Sequence, residues 1–271
     1  MNMRVLVVPV FNEERTILSI LEGARGRVDR IVVLDDGSSD GSAALIASWM
    51  RGISIPIDLV HHTHNRGLSH ALLTMFAHIF LLARSGHLAP DDQVVIIDAD
   101  GQHDPADIPR LAERLARELD VVVGARDLRV YPRYKRVGNA LLSVWASLLS
   151  GRRHPDAECG FRAFRVAVTG DLLGYCTGFR YSIAQEMSIV LPRLRYRVQT
   201  DVPVSVLYYR QGARFRDGAA NATMGLWAAV RVLLRLRHDP LHRAVALLSG
   251  VRIESNGIGA SEAAVAWQPS L

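Results

Sequence analysis

Cysteine is nearly missing from this chain. Only Cys159 and Cys176 occur in 271 residues, too few for a disulfide framework and not spaced as metal ligands. Small disulfide-stapled scaffolds and zinc modules are thereby excluded, and a reducing cytoplasm is the default compartment. Long apolar runs are missing as well. No stretch reaches the ~18 residues expected of a membrane-spanning helix, and a strand pattern begins by residue 4, leaving no room for a signal peptide. Lysine is almost unused: all but Lys135 of the 32 Lys and Arg residues are arginine. No Gly/Ser-rich linker splits the chain, and no internal repeat is visible.

What remains is a globular composition, 49% hydrophobic and 22% charged, not a disordered one. The length suits one sizeable α/β domain, or such a domain with a helical extension. The net charge of +5 suits an anionic partner: nucleotide, lipid phosphate, membrane surface or nucleic acid. An arginine- and alanine-rich genome would give the same bias.

Strand-like runs alternate with helical periodicity in the first half. RVLVVPV (4–10), RIVVL (30–34), 57–61, 93–97 and 120–123 read as strands. Segments 14–25, 43–50, a long stretch after Asn65-Arg66-Gly67-Leu68-Ser69 through about Ala83, and 105–118 read as helices. Continuously apolar strands between helices imply a mostly parallel sheet buried by helices on both faces. In the second half, 135–150, 179–191 and 223–237 read as helices and 202–209 as a strand. The expected organisation is one domain over 1–220, an amphipathic helical region over 221–250 and a flexible tail over 251–271.

The polar motifs follow strands two and four, at the strand ends where open α/β sheets bind ligands. In Asp98-Ala99-Asp100 the acids are two residues apart. On an extended strand end such residues point to one side, so both carboxylates can face one ion and one ribose. Gln102 adds a neutral oxygen. A divalent cation held there would stabilise a diphosphate leaving group. A plain helix cap explains Asp104 before Pro105, but not two further acids. Asp35-Asp36-Gly37-Ser38-Ser39-Asp40-Gly41-Ser42 contains a turn and a cap at Ser39 or Asp40. Its double acid can also accept hydrogen bonds from a base or a ribose.

Taken in order, Pro9-Val10-Phe11-Asn12-Glu13-Glu14, Asp35 to Gly41, Asn65-Arg66-Gly67 and Asp98 to His103 resemble the family 2 glycosyltransferases of GT-A fold. The resemblance continues through Val123-Gly124-Ala125-Arg126, Lys135-Arg136 and Cys159 to Arg165, over residues 3–215. Within that family it points to the dolichyl- and polyprenyl-phosphate sugar synthases. It implies that Pro9, Phe11 and Glu13 line a base pocket, that Asp36 contacts the nucleoside, and that Asp98 approaches ribose and metal. It also implies Asp100 and Gln102 as ligands of Mg²⁺ or Mn²⁺. Arg126, Arg133, Lys135 and Arg136 would hold an acceptor phosphate, for which arginine offers bidentate geometry.

Asp156 and Glu186 are the candidate bases should the acceptor be a hydroxyl; an ionised phosphate needs none. An ordinary helical glutamate is the other reading of Glu186. Two departures from the pattern stand out. Ser69 replaces a glycine, which suggests an altered loop. Cys159 replaces Ser or Thr and reads as a small buried residue, not a nucleophile. His61, His62 and His64 read as a loop in preference to a metal site. His103 reads as helix-entry packing or a group in the site. The helix at 223–237 combines Trp227 and leucines with Arg231, Arg235 and Arg237. It suits either a core-packed helix or a membrane-surface one.

The implied reaction is an inverting transfer of a hexose from a GDP- or UDP-sugar to a polyprenyl phosphate at the cytoplasmic membrane face. A transferase acting on a small metabolite is the alternative. A nucleotide-sugar-binding protein without turnover belongs to another class, against which the Asp100/Gln102 pair argues. Nucleic-acid binding rests on charge alone, with no supporting motif.

Overall fold

The computed structural model describes residues 2–207 and 215–256. Among these, eight strands form one sheet. They are β1 (Arg4–Val10), β2 (Arg30–Asp35), β3 (Ile57–His61), β4 (Gln93–Ile96), β5 (Val121–Arg126), β6 (Arg162–Arg165), β7 (Val198–Val204) and β8 (Arg252–Ser255). The order across the sheet is β7-β5-β6-β4-β1-β2-β3-β8. β1 pairs in parallel with β2 and β4, β2 with β3, and β5 with β7. β6 runs antiparallel between β4 and β5, and β8 antiparallel to β3. The valines and leucines of β1, β2 and β4 are buried, which is why these strands read as unbroken apolar runs.

The early helices are α1 (Ile17–Ala24), α2 (Ser42–Met50), α3 (Leu68–Arg84) and α4 (Ile108–Leu115). Right-handed crossovers put α1 and α2 on one face. The connection through α3 runs back past β1 to β4, so α3 lies on the other face. The chain therefore reverses its direction of growth at β1. The loops after β1, β2 and β4 converge at that point, where a crevice opens.

The later helices are α5 (Arg133–Ser150), α6 (Thr169–Tyr175), α7 (Ile183–Arg193), α8 (Phe215–Leu233) and α9 (Pro240–Leu248). α5, α7 and α8 pack on one another, and α9 packs on α3 and α6. The structure differs from the sequence reading in several places. The segment 105–118 is a 3-10 turn at Pro105–Asp107 followed by α4. The helix read at 179–191 starts at Ile183. The strand read at 202–209 begins four residues earlier, and its last two residues lie outside the described ones. β6 and α6 were not read at all. α8 crosses the 220/221 boundary. Within the expected tail, residues 252–255 are a sheet strand, while 257–271 lie outside the described residues.

α8 is docked into the protein. Ala228, Ala229 and Asn221 are buried, and so is Arg231, which donates to the carbonyls of Gly174, Tyr175 and Leu236. Arg231 therefore caps the end of α6 instead of facing solvent. Among the described residues, no helix is long and apolar enough to cross a membrane.

Candidate active site

Asp98 follows β4, flanked by β1 on one side and β6 on the other. Its neighbourhood is tight. A β-carbon on Gly160, just before β6, would stand 2.5 Å from Asp98 Oδ2. Only glycine lets that backbone approach the carboxylate so closely. Burial pushes the Asp98 carboxyl up to about 7, and the charge of Asp100 adds to the rise. A buried acid pressed against a second carboxylate holds its proton more tightly unless a cation neutralises it.

Gln102 turns back on Asp100. Its backbone N–H donates to Asp100 Oδ1 at 3.0 Å and its Nε2 donates to Oδ2 at 2.6 Å. Tyr131 donates its hydroxyl to Gln102 Oε1 at 3.2 Å. Gln102 thus aims the Asp100 carboxylate, and its own oxygen is already engaged. The sequence reading placed it as a direct ligand; in the metal-free arrangement its contacts orient Asp100. Among the described residues, no group of three or more His, Cys, Asp and Glu is placed to hold a metal. Asp98 with Asp100 still fits a divalent cation that takes its remaining oxygens from a bound diphosphate and water, as magnesium commonly does.

Arg126 ends β5. It forms a two-point ion pair with Asp156, Nε to Oδ2 at 2.6 Å and Nη2 to Oδ1 at 2.9 Å. Asn139 donates to Asp156 Oδ1 at 2.9 Å. Burial raises the Asp156 carboxyl, but Arg126 and Asn139 outweigh it and hold it below the ordinary range. A carboxylate bound so firmly is a poor proton acceptor, which removes Asp156 as a general base. Arg126 also lies over the Tyr131 ring, 5.6 Å from its centroid.

Glu186 is likewise displaced from the chemistry. It is fully buried in α7 and accepts from Thr177 N and Oγ1 and from the Ser182 hydroxyl. It ties down the turn before α7 and does not line the cavity. Ser69 acts on the same turn: its hydroxyl accepts from Ile183 N at 3.0 Å, and its own N–H donates to the Arg180 carbonyl at 2.9 Å. The serine that replaced a glycine therefore fastens the start of α3 to the start of α7.

On the other side of the site, Asp36 is 3% exposed. It accepts from Arg66 N at 2.9 Å and Gly67 N at 2.8 Å, and His62 Nδ1 lies 2.6 Å away. Its carboxylate shapes the 62–67 loop, where the resemblance implied a contact with the nucleoside. His62 is thus no metal ligand but a partner of Asp36, held from behind by Thr74 Oγ1 at 3.0 Å. Phe11, Asn12 and Glu13 stand beside the 38–42 segment that follows β2. Asn12 N donates to Ser38 Oγ, Ser39 N donates to Asn12 Oδ1, and Glu13 N donates to Ser42 Oγ. Phe11 is 43% exposed, a face available for stacking, whereas Pro9 is buried within β1. Asp104 caps the 3-10 turn through Ala106 N, as its place before Pro105 implies.

A cavity of about 470 Å³ opens beside Asp98, Gln102 and Arg126. Asp98, Gln102, Arg126, Lys135 and Arg136 line it together with the apolar Leu68, Leu72, Leu142, Ile183 and Met187. Arg133 is not among its lining residues. Two lining residues escaped the sequence reading. Glu158 accepts from Asn221 Nδ2 at 2.9 Å, yet Glu158 Oε1 and Asn221 Oδ1 are buried with no partner. Burial raises the Glu158 carboxyl. No local pattern marks this pair, which lies 63 residues apart. His103 packs against Phe161, and burial, aided by Arg126, lowers it to about 4, so it is neutral. Burial pushes the Cys159 thiol up to about 12, which rules it out as a nucleophile.

The UDP-N-acetylglucosamine–dolichyl-phosphate N-acetylglucosaminyltransferase of Methanococcus voltae is 26% identical over 221 residues, 75% of this chain and 85% of that protein. An undecaprenyl-phosphate 4-deoxy-4-formamido-L-arabinose transferase of Pseudomonas paraeruginosa is 31% identical over 174 residues, 62% of this chain and 48% of that protein. The fold matches glucosyl-3-phosphoglycerate synthase of Mycobacterium tuberculosis in complex with UDP, with a TM-score of 0.59 at 19% identity, covering 88% of this chain and 87% of that one. The same enzyme is also known with Mn²⁺, UDP-glucose and glycerol 3-phosphate. Residues 5–186 match the description Glycosyl transferase family 2; the chain belongs to that family and is a glycosyltransferase with the GT-A fold.

Proposed function

We propose that the protein transfers a sugar from a nucleoside diphosphate sugar to the phosphate of a polyprenyl phosphate. The observation that carries this reading is the make-up of the cavity. Its lining brings the acidic Asp98 and the cations Arg126, Lys135 and Arg136 together with leucine, isoleucine and methionine. A phosphate bearing a hydrocarbon chain presents this combination of polar and apolar groups; a small hydrophilic acceptor leaves the apolar lining wet. Two relatives act on dolichyl or undecaprenyl phosphate by name, which supports the same choice.

The nucleoside is assigned to the rim formed by Phe11–Glu13 and the 62–67 loop. Asp98 and Asp100 would hold Mg²⁺ or Mn²⁺, which would supply charge stabilisation to the departing diphosphate. Gln102 and Tyr131 keep Asp100 aimed. Lys135 and Arg136 orient the acceptor phosphate, and Arg126, steadied by Asp156, adds positive charge where the anions meet. An acceptor oxygen attacks the anomeric carbon as the bond to the diphosphate breaks. The configuration inverts, and the bonding pair leaves with the nucleoside diphosphate. The phosphate nucleophile is already ionised, so the lack of a free carboxylate base at Asp156 and Glu186 fits this acceptor and disfavours a hydroxyl.

The test is a donor screen. GDP-mannose, UDP-glucose and UDP-N-acetylglucosamine, each radiolabelled, are incubated with the protein and Mn²⁺, with and without undecaprenyl phosphate. Label is then followed into organic solvent. Labelled lipid with one donor is the expected result. Label passing only to phosphoglycerate or another small acid would overturn the acceptor assignment.

A further inference from the structure

α5 carries an apolar stripe that none of the described residues covers. Tyr134, Val137, Leu141, Val144 and Leu148 recur at alternating steps of three and four residues, on one side of the helix. They are between 58% and 71% exposed. The stripe runs ~21 Å at the rise of an α-helix. Water-facing patches of this length on a monomer mark interaction surfaces. Leu226 of α8 borders it: Trp145 of α5 donates to the Ala222 carbonyl, and Leu226 lies one turn beyond Ala222 on the same helix face, 45% exposed. Trp227, next to it, is equally exposed.

Charge tells what the stripe meets. Arg133 and Arg136 are exposed at its start, and Arg152 and Arg153 just past its end. Between Asp127 and Asp156 there is no acidic residue. An apolar stripe with cations at both ends matches the boundary between acyl chains and anionic headgroups. It does not match a second copy of itself, because parallel or antiparallel pairing would bring arginines against arginines. Tyr134 belongs both to the stripe and to the cavity lining, so the cavity mouth opens at the edge of this surface.

We infer that the exposed face of α5 is a docking surface for an anionic lipid bilayer, lying in the plane of the headgroups with the cavity mouth turned toward it. In linking this surface to catalysis, the inference rests on the lipid acceptor proposed above; the binding itself does not. The surface differs from the 223–237 helix that the sequence suggested, whose Arg231 is buried in the fold.

The full chain is mixed with vesicles of phosphatidylcholine alone, or of phosphatidylcholine with phosphatidylglycerol, and sedimented. The protein is expected to pellet with the anionic vesicles only, and less so at high salt. The triple variant Leu141→Gln, Val144→Gln, Leu148→Gln replaces exposed side chains outside the cavity. It should lose at least about tenfold in vesicle affinity, while keeping its melting temperature and its nucleoside diphosphate binding. Leu148→Gln alone, at the most exposed position, gives a smaller loss in the same direction and serves if the triple variant does not fold. A wild-type protein that stays in the supernatant, or variants that bind as tightly, would overturn the inference. So would a wild-type dimer that the triple variant abolishes, because the stripe would then belong to a second copy. Vesicle binding without sugar transfer to undecaprenyl phosphate would sink the proposed acceptor and leave the surface standing.

Discussion

Arg126 and Asp156 face each other fork to fork, Nε to Oδ2 at 2.6 Å and Nη2 to Oδ1 at 2.9 Å, with Asn139 closing the far side of the carboxylate. The pair is buried, so removing one partner strands the other. Asp156→Ala should cost about 3–5 kcal/mol of stability, read by urea denaturation. The carboxyl is held below its ordinary range. The stability it contributes is therefore full above the unfolded value of ~3.9 and is lost as pH falls below it. Asp156 should accordingly add no limb to the pH–rate profile between pH 5 and 8. A limb there that Asp156→Asn removes would restore it as a base.

Asp98 sets activity against stability. Its carboxyl is raised to about 7 by burial and Asp100, against ~3.9 in the unfolded chain. A raised carboxyl favours the fold at low pH, and that contribution is lost as pH rises from about 4 to about 7. Without metal, Asp98→Asn should melt like wild type at pH 4 and several degrees higher at pH 8, since ~1 kcal/mol moves a domain of this size by about 2–4 °C. Added Mn²⁺ with UDP should raise the melting temperature of wild type and not of the variant. Equal shifts in both proteins would remove Asp98 from the cation site.

Glu186 offers a contrast. All its contacts run to Thr177 and Ser182. Glu186→Gln should lower thermal stability and leave kcat within about fivefold, whereas loss of a general base costs about a hundredfold or more. A larger fall in kcat with unchanged melting temperature would return it to the chemistry.

The Glu158–Asn221 pair has two idle oxygens beside the cavity. Each idle buried acceptor costs about 1–3 kcal/mol, so bound hydroxyls that donate to them recover that loss. Asn221→Ala is expected to raise KM for the sugar donor or acceptor at least about fivefold with little change in kcat. An unchanged KM for both substrates would make the pair purely structural.

Much of this was legible from residue order alone. The alternation of apolar runs and helical periodicity located β1 to β5, because strands buried on both faces need no polar residues. The acids at 98 and 100 stood out because a buried strand end has no other use for them. The partners of Asp36 and Asp156 were not legible. His62 meets Asp36 across 26 residues and Asn139 meets Asp156 across 17, pairings made by sheet order and not by spacing. β6 was hidden because RAFR begins and ends in arginine. Arg162 is nonetheless fully buried, its guanidinium donating to the carbonyls of Ala157 and Cys159. Nor were the contacts legible that argue against Asp156 and Glu186 as bases: a carboxylate's value as a base depends on who already holds it.

β8 completes the sheet with residues that follow β3 by almost two hundred positions. Asn256, just after it, donates to the carbonyls of Ile53 and Ile55 and accepts from Ile57 N. During synthesis, the β3 edge must therefore wait, with its backbone groups unpaired, until nearly all of the described chain has left the ribosome. A growing chain with an open, apolar edge invites pairing with its neighbours on the same message. Stalled or truncated chains ending before residue 252 should accumulate as aggregates, making the last strand a checkpoint for release of usable enzyme.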